Sequence, residues 1–185
     1  VFRAQGSLDE AAEIHGEARA LRRRIFGDNH ASVAQSTANL ASVLSDLGRL
    51  EEASEAYVDA IAILEHNSGG QHPMIPRLGA RVAAIHVELG RPELAEEMLR
   101  RDLQRQRAAS ASKTLLADLG SALAAAVAAQ GRGDEAESLY RESLEVLREA
   151  HGREHPKARR VAEELAALHE ARGQVAEARQ LGDGS

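Results

Sequence analysis

The chain contains no cysteine and no tryptophan, and its only aromatic side chains are Phe2, Phe26, Tyr57 and Tyr140. Without cysteine there is no disulfide, no thiolate metal ligand and no cysteine nucleophile, a composition that suits a reducing, cytoplasmic setting. Basic residues are in deficit, 23 Lys+Arg against 29 Asp+Glu for a formal charge of -6, so the basic face that nucleic-acid phosphates require is not expected. No long apolar run exists either. The longest, Leu115 to Ala129, is broken by Asp118 and falls short of the ~20 residues a membrane span needs. Val1-Phe2-Arg3-Ala4 lacks the charged start and apolar core of a signal peptide, and the missing initiator Met suggests a fragment or a renumbered chain.

What the chain has instead is alanine, roughly one residue in five, within a 43% hydrophobic composition. A core with so few bulky side chains must form by close approach of backbones. That points to packed helices, because sheets favour β-branched and aromatic residues.

The alanines are periodic. Gly6, Gly48, Gly90, Gly131 and Gly173 are spaced by 42, 42, 41 and 42 residues. Five residues after each comes Ala11, Ala53, Ala95, Ala136 or Ala178, and nine after the first four come His15, Tyr57, Leu99 and Tyr140. Before the last four glycines lie Leu40-Ala41, Val82-Ala83, Leu123-Ala124 and Leu165-Ala166. Each period carries two apolar stripes of helical spacing, such as Val33, Thr37, Leu40, Leu44 and then Leu50, Ala53, Tyr57, Ala60. The Gly between them serves a tight helix–helix turn that needs a left-handed residue. A second set, Gly27, Gly69 and Gly152, ends the second helix, followed by His30, His72 and His155, with Pro73 and Pro156 opening the next helix. This predicts helices near 7–26, 31–47, 50–66, 73–89, 92–107, 112–130, 133–151, 156–172 and 174–181. Val1 to Gln5 is then the remnant of an earlier helix, and Ser7 with Glu10 a capping box. The small Ala at the fifth position marks where paired helices cross most closely. The Ala-rich stretch Ser121 to Ala129 is expected to bury little area and to make the third unit the weak point of the array.

This pattern resembles the tetratricopeptide repeat. The 42-residue period with Gly-Asp-Asn-His (27–30) and Gly-Arg-Glu-His-Pro (152–156) is similar to the kinesin-light-chain-type subclass, common in bacterial multidomain proteins. The resemblance implies an all-α, right-handed superhelical solenoid of antiparallel helix pairs, in one array over 1–185. Its parts are a partial unit (1–27), units of about 28–69, 70–110 and 111–152, and a partial unit (153–185). It further implies that the first helix of each pair lines a concave groove for a peptide or protein segment. The groove set includes Asn39, Ser42, Arg77, Arg81, Ser121, Ala125 and Arg160. Two departures stand out. The third connector, Ala108 to Lys113, lacks the Gly-x-x-His-Pro element, and of the family's groove Asn pair only Asn39 is kept.

Other motifs yield to the repeat. His151-Gly-Arg-Glu-His155 spells an inverted zinc-protease signature, but sister repeats place Phe26-Gly-Asp-Asn-His30 and Ser68-Gly-Gly-Gln-His72 in the same slot, so it reads as a connector. Arg132-Gly133-Asp134 occupies a turn held elsewhere by Arg49-Leu50-Glu51 and is not an adhesion signal. His86 and His169 replace Leu44 and Val127 of the other repeats and read as packed rings rather than general bases.

The sequence therefore implies a non-catalytic scaffold without cofactor or metal, cytoplasmic, binding a protein or peptide and neither nucleic acid nor membrane. An alternative is a regulatory, sensing or dimerisation segment of a signalling enzyme such as a bacterial protein kinase or ATPase switch. An uncapped solenoid end exposes an apolar face, which implies end-to-end self-association.

Overall fold

The computed structural model describes residues 2–174, 177 and 178, and it resolves into two compact units, residues 1–85 and 86–185. Among the described residues every regular element is an α-helix. In the first unit α1 (Phe2–Phe26) packs on α2 (Ala31–Asp46), α2 on α3 (Leu50–Ser68), and α4 (Met74–Glu88) begins the next pair, its last turn belonging to the second unit. In the second unit α5 (Pro92–Ala108), α6 (Lys113–Ala129), α7 (Gly133–His151) and α8 (Pro156–Ala171) pack each on the next. The boundaries of α2 to α8 follow the glycine register to within two residues. The helix expected over 174–181 lies largely outside the described residues.

The turns show why glycine recurs. Gly48, Gly90, Gly131 and Gly173 all adopt left-handed backbone, with φ between 71° and 77°. The next amide then folds back on the helix it leaves: Arg49 N donates to Leu44 O (2.9 Å), Arg91 to His86 (2.8 Å) and Gln174 to His169 (2.9 Å). This bond caps carbonyls that would otherwise lack a partner. Ala53, Ala95 and Ala136 are completely buried, as close crossing of paired helices requires.

One expectation fails: α1 runs unbroken from Phe2 through Gly6, so there is no turn there and Ser7 is an interior helical residue rather than an N-cap. Five residues are too few to form a helix that packs back, and extending α1 satisfies their carbonyls within the helix. The Ala-rich α6 is closely covered. Leu119, Ser121, Leu123, Ala124, Ala126 and Val127 are each at most 2% exposed. Small side chains let α7 come close enough that a Cβ on Gly120 would stand 2.7 Å from Ser143 Oγ. The glycine-free connector after α5 is closed by Ser110, a non-glycine residue at φ 54°, with Ala111 N bonding back to Gln106 O at 3.0 Å.

The recurrent histidines acquire a role that spacing alone did not reveal. His30, His72 and His155 each turn Nδ1 toward the amide two residues on: Ser32 N (3.2 Å), Met74 N (3.2 Å) and Lys157 N (3.3 Å). His30 and His155 are the N-caps of α2 and α8, and His72 makes the same bond to the first residue of α4, each doing with an imidazole nitrogen what Ser or Asp usually does with oxygen.

Candidate functional site

The first helices of the pairs carry the residues that the repeat register assigns to a binding face. On α2, Ser42 is exposed and Asn39 half-buried, and Gln35 Nε2 donates to Asn39 Oδ1 at 3.0 Å, leaving the Asn39 amide nitrogen to donate outward. On α4, Arg77 and Arg81 are exposed, lie one turn apart, and have no carboxylate partner among the described residues.

The same positions in the second unit differ in character. Ser121 is fully buried and its hydroxyl donates to the Asp118 carbonyl of its own helix at 3.0 Å, so it offers nothing to a ligand. Ala125 is half-buried and packs on the core formed by Tyr140, Leu144, Leu147, Val161 and Leu165. Arg160 is exposed but engaged with Glu164 at 2.9 Å.

Two carboxylates also stand at groove positions of the repeat register. Asp118 on α6 takes an ion pair from Lys157 of α8 on Oδ2, yet its other oxygen is buried without a partner. Glu164 Oε2 is likewise buried and unpartnered. Burial pushes the Glu164 carboxyl up, offset only in part by Arg160, and burial with the Glu164 charge pushes the Tyr140 phenol up. Asp118 and Glu164 stand thirteen and nine residues before their glycines, the spacings of Arg77 and Arg81.

The motifs set aside on sequence grounds behave as structure. His151 and His155 stack with ring centroids 4.4 Å apart, as Phe26 and His30 do at 4.6 Å in the equivalent connector. No cluster of three or more metal-ligating side chains occurs among the described residues. His169 is 1% exposed and shares a hydrogen bond with Gln174 at 2.9 Å. Burial, then the Arg91 charge, holds His86 below the ordinary imidazole range, which keeps it neutral. No described helix is long and apolar enough to cross a membrane.

Paired helices, left-handed glycine turns and buried crossing alanines in a 42-residue register define a helical repeat protein. The tetratricopeptide repeat model matches residues 1–66 and 115–183, and the chain belongs to that family. Among solved structures, a putative kinesin light chain from Podosopora anserina with nearly identical TPR-like repeats is 25% identical. The match covers 98% of this chain and 87% of that one, with a TM-score of 0.71. BtubC (BKLC) from P. vanneervenii is 20% identical over 98% of this chain and 72% of its own, with a TM-score of 0.75. A Rap protein complexed with Competence and Sporulation Factor is 14% identical over 97% of this chain and 48% of its own, with a TM-score of 0.80. These likenesses bear out the all-α repeat fold of the kinesin-light-chain type. No curated protein sequence matches the chain.

Proposed function

We propose that the chain is a non-catalytic, cytoplasmic interaction module whose first-helix faces bind a segment of a partner protein. The observation that carries this is the Arg77–Arg81 pair. Two guanidinium groups one turn apart, exposed and without a carboxylate, are set to take an acidic side chain or a terminal carboxylate by bidentate hydrogen bonds. Asn39 donates from α2 of the same unit to a backbone carbonyl, and Ser42 lies one turn further along. In the second unit the same register places half-buried Ala125 on α6 and exposed Arg160 on α8. The segment recognised is thus acidic where it meets α4. That a Rap protein of similar fold is complexed with Competence and Sporulation Factor supports a recognition role.

The test is capture of partners by the chain, mapping of the bound segment, and its titration against Asn39→Ala/Arg81→Ala. Both side chains face away from the core, so the double variant keeps its helicity while affinity falls at least about tenfold, the loss of one charged and one neutral hydrogen bond. Unchanged affinity for the mapped segment rejects the assignment.

A further inference from the structure

The second unit holds a cavity of about 620 Å³ where α5, α6 and α7 meet, on the face of α6 turned away from Ala125. That volume is in the ordinary range of a small-molecule pocket. Its apolar walls are aliphatic: Leu103 of α5, Leu116 of α6, and Leu139 and Val146 of α7. Such walls, with no ring to stack on, suit a hydrocarbon chain rather than a nucleobase or other flat ring system.

Polar groups interrupt these walls at two levels. Ser143 of α7 is 3% exposed and lines the cavity, yet its hydroxyl meets no hydrogen-bond partner among the described residues. A buried hydroxyl left unpaired costs free energy that a ligand atom can recover. The repeat does not require it. The register puts Ala60 at this position in the first unit and Thr37 in the place of Gly120, and the Thr37 hydroxyl is bonded to Val33 O at 2.9 Å. Glu142, beside Ser143 in the chain, also lines the cavity and has no cationic partner among the described residues. At one end Arg107, in the last turn of α5, and Lys113, the first residue of α6, flank the connector. Both are exposed, and neither has a carboxylate partner among the described residues. Arg100 differs, since its charge is met by Glu96 at 2.8 Å and by Glu135 at 2.7 Å, a bridge that ties α5 to α7.

The order of these groups along the helices sets the order of groups on a ligand. Ser143 lies against Gly120, where an added Cβ would stand 2.7 Å from its Oγ. Gly120 is seven residues along α6 from Lys113, roughly 10 Å at the helical rise. The basic pair calls for an anion, the aliphatic walls for a chain, and the unpaired hydroxyl for an oxygen about 10 Å from the anion. Glu142 disfavours a second carboxylate there, whereas a neutral hydroxyl can accept from Ser143 and donate to Glu142. We propose that the cavity binds a medium-chain hydroxy acid, its carboxylate on Arg107 and Lys113, its chain against Leu103, Leu116, Leu139 and Val146, and its terminal hydroxyl on Ser143. The site uses none of the residues assigned to partner binding above and is independent of that reading.

The probe is ω-hydroxyoctanoate, whose extended chain spans about 10 Å at ~1.5 Å per zigzagging bond. Calorimetric titration of the 185-residue chain is expected to give one site dissociating in roughly the 0.1–1 mM range. Methyl shifts in NMR spectra should fall on Leu103, Leu116, Leu139 and Val146. Octanoate, without the hydroxyl, binds about fivefold more weakly, and octanedioate at least about tenfold more weakly. Ser143→Ala adds no volume and removes the preference for ω-hydroxyoctanoate over octanoate. Arg107→Ala/Lys113→Ala alters two exposed side chains, keeps the helicity, and weakens both ligands at least about tenfold. Asn39→Ala/Arg81→Ala binds ω-hydroxyoctanoate like the parent, which keeps this result apart from the fate of the partner-binding face. No binding at about 10 mM, methyl shifts elsewhere, a basic-pair variant that binds like the parent, octanedioate binding as tightly, or a preference that survives Ser143→Ala overturns the proposal.

Discussion

Arg132, in the turn after α6, donates to the Glu96 carboxylate of α5 across 2.7 Å. Gln130 and Arg100 donate to the same carboxylate at 2.7 and 2.8 Å. One repeat further on, Arg172 meets Glu137 at 3.0 Å, so each turn reaches back to the helix of the preceding pair. Glu96 and Glu137 both stand six residues after their glycines, a position that Ser54 fills in the first unit.

The Glu96 carboxyl is the most displaced carboxyl among the described residues. Burial, the largest single influence, would raise it. The hydrogen bonds from Gln130, Arg100 and Arg132 outweigh that and hold it at about 2. A carboxyl lowered from its ordinary value stabilises the fold at pH above that value and loses its contribution as pH falls from about 4.5 toward 2. Its side chain is only 14% exposed, but its arginine partners are 41% and 48% exposed, so screening trims the contribution to about 1–2 kcal/mol. Urea denaturation of Glu96→Gln should show that loss at pH 7 and a flatter stability profile between pH 5 and pH 3 than the parent.

Ala53→Leu and Ala136→Leu should each cost about 1–3 kcal/mol by overpacking, since both alanines are fully buried where paired helices cross. Denaturation midpoints unchanged in both variants would mean that the crossing point has been misassigned.

Ser110→Gly should stabilise the chain. Ser110 holds left-handed backbone where the other connectors use glycine, and a side chain in that conformation costs about 1 kcal/mol. The exposed serine makes no compensating contact of its own, so the gain is about 0.5–1 kcal/mol after the extra freedom glycine brings to the unfolded chain. Thermal melting should move up by roughly 1–4 °C.

Hydrogen exchange should find the amides from Ala117 to Val127 among the slowest in the second unit. The alanines of α6 contribute little area each, yet they bring α7 close and leave Leu119, Ser121, Leu123, Ala124, Ala126 and Val127 at most 2% exposed. Exchange there as fast as in the exposed C-terminal turn of α8 would restore the expectation that composition alone suggests.

The repeat itself was legible because glycine is a backbone requirement before it is a side chain. Four turns demand a positive φ, and each demand leaves a glycine at a fixed interval whatever else varies. The buried alanines were legible for a related reason, since close helix crossing admits little else. The N-cap histidines were visible as a recurrence without a meaning, because only the structure shows Nδ1 aimed at an amide. Ser121 shows where spacing stops. It shares its register position with the exposed Glu163 of α8, yet it is buried, because in α6 the neighbouring helices close over it.

The sequence by itself determined the helices, their pairing and the residues at each crossing, since these follow from backbone conformation and side-chain size within one repeat. Tertiary structure alone decided which carboxylates find partners, which arginines remain free on α4, and that α1 continues through Gly6. These depend on how closely one helix approaches the next. That distance is set by the side chains of both helices together, and no single repeat encodes it.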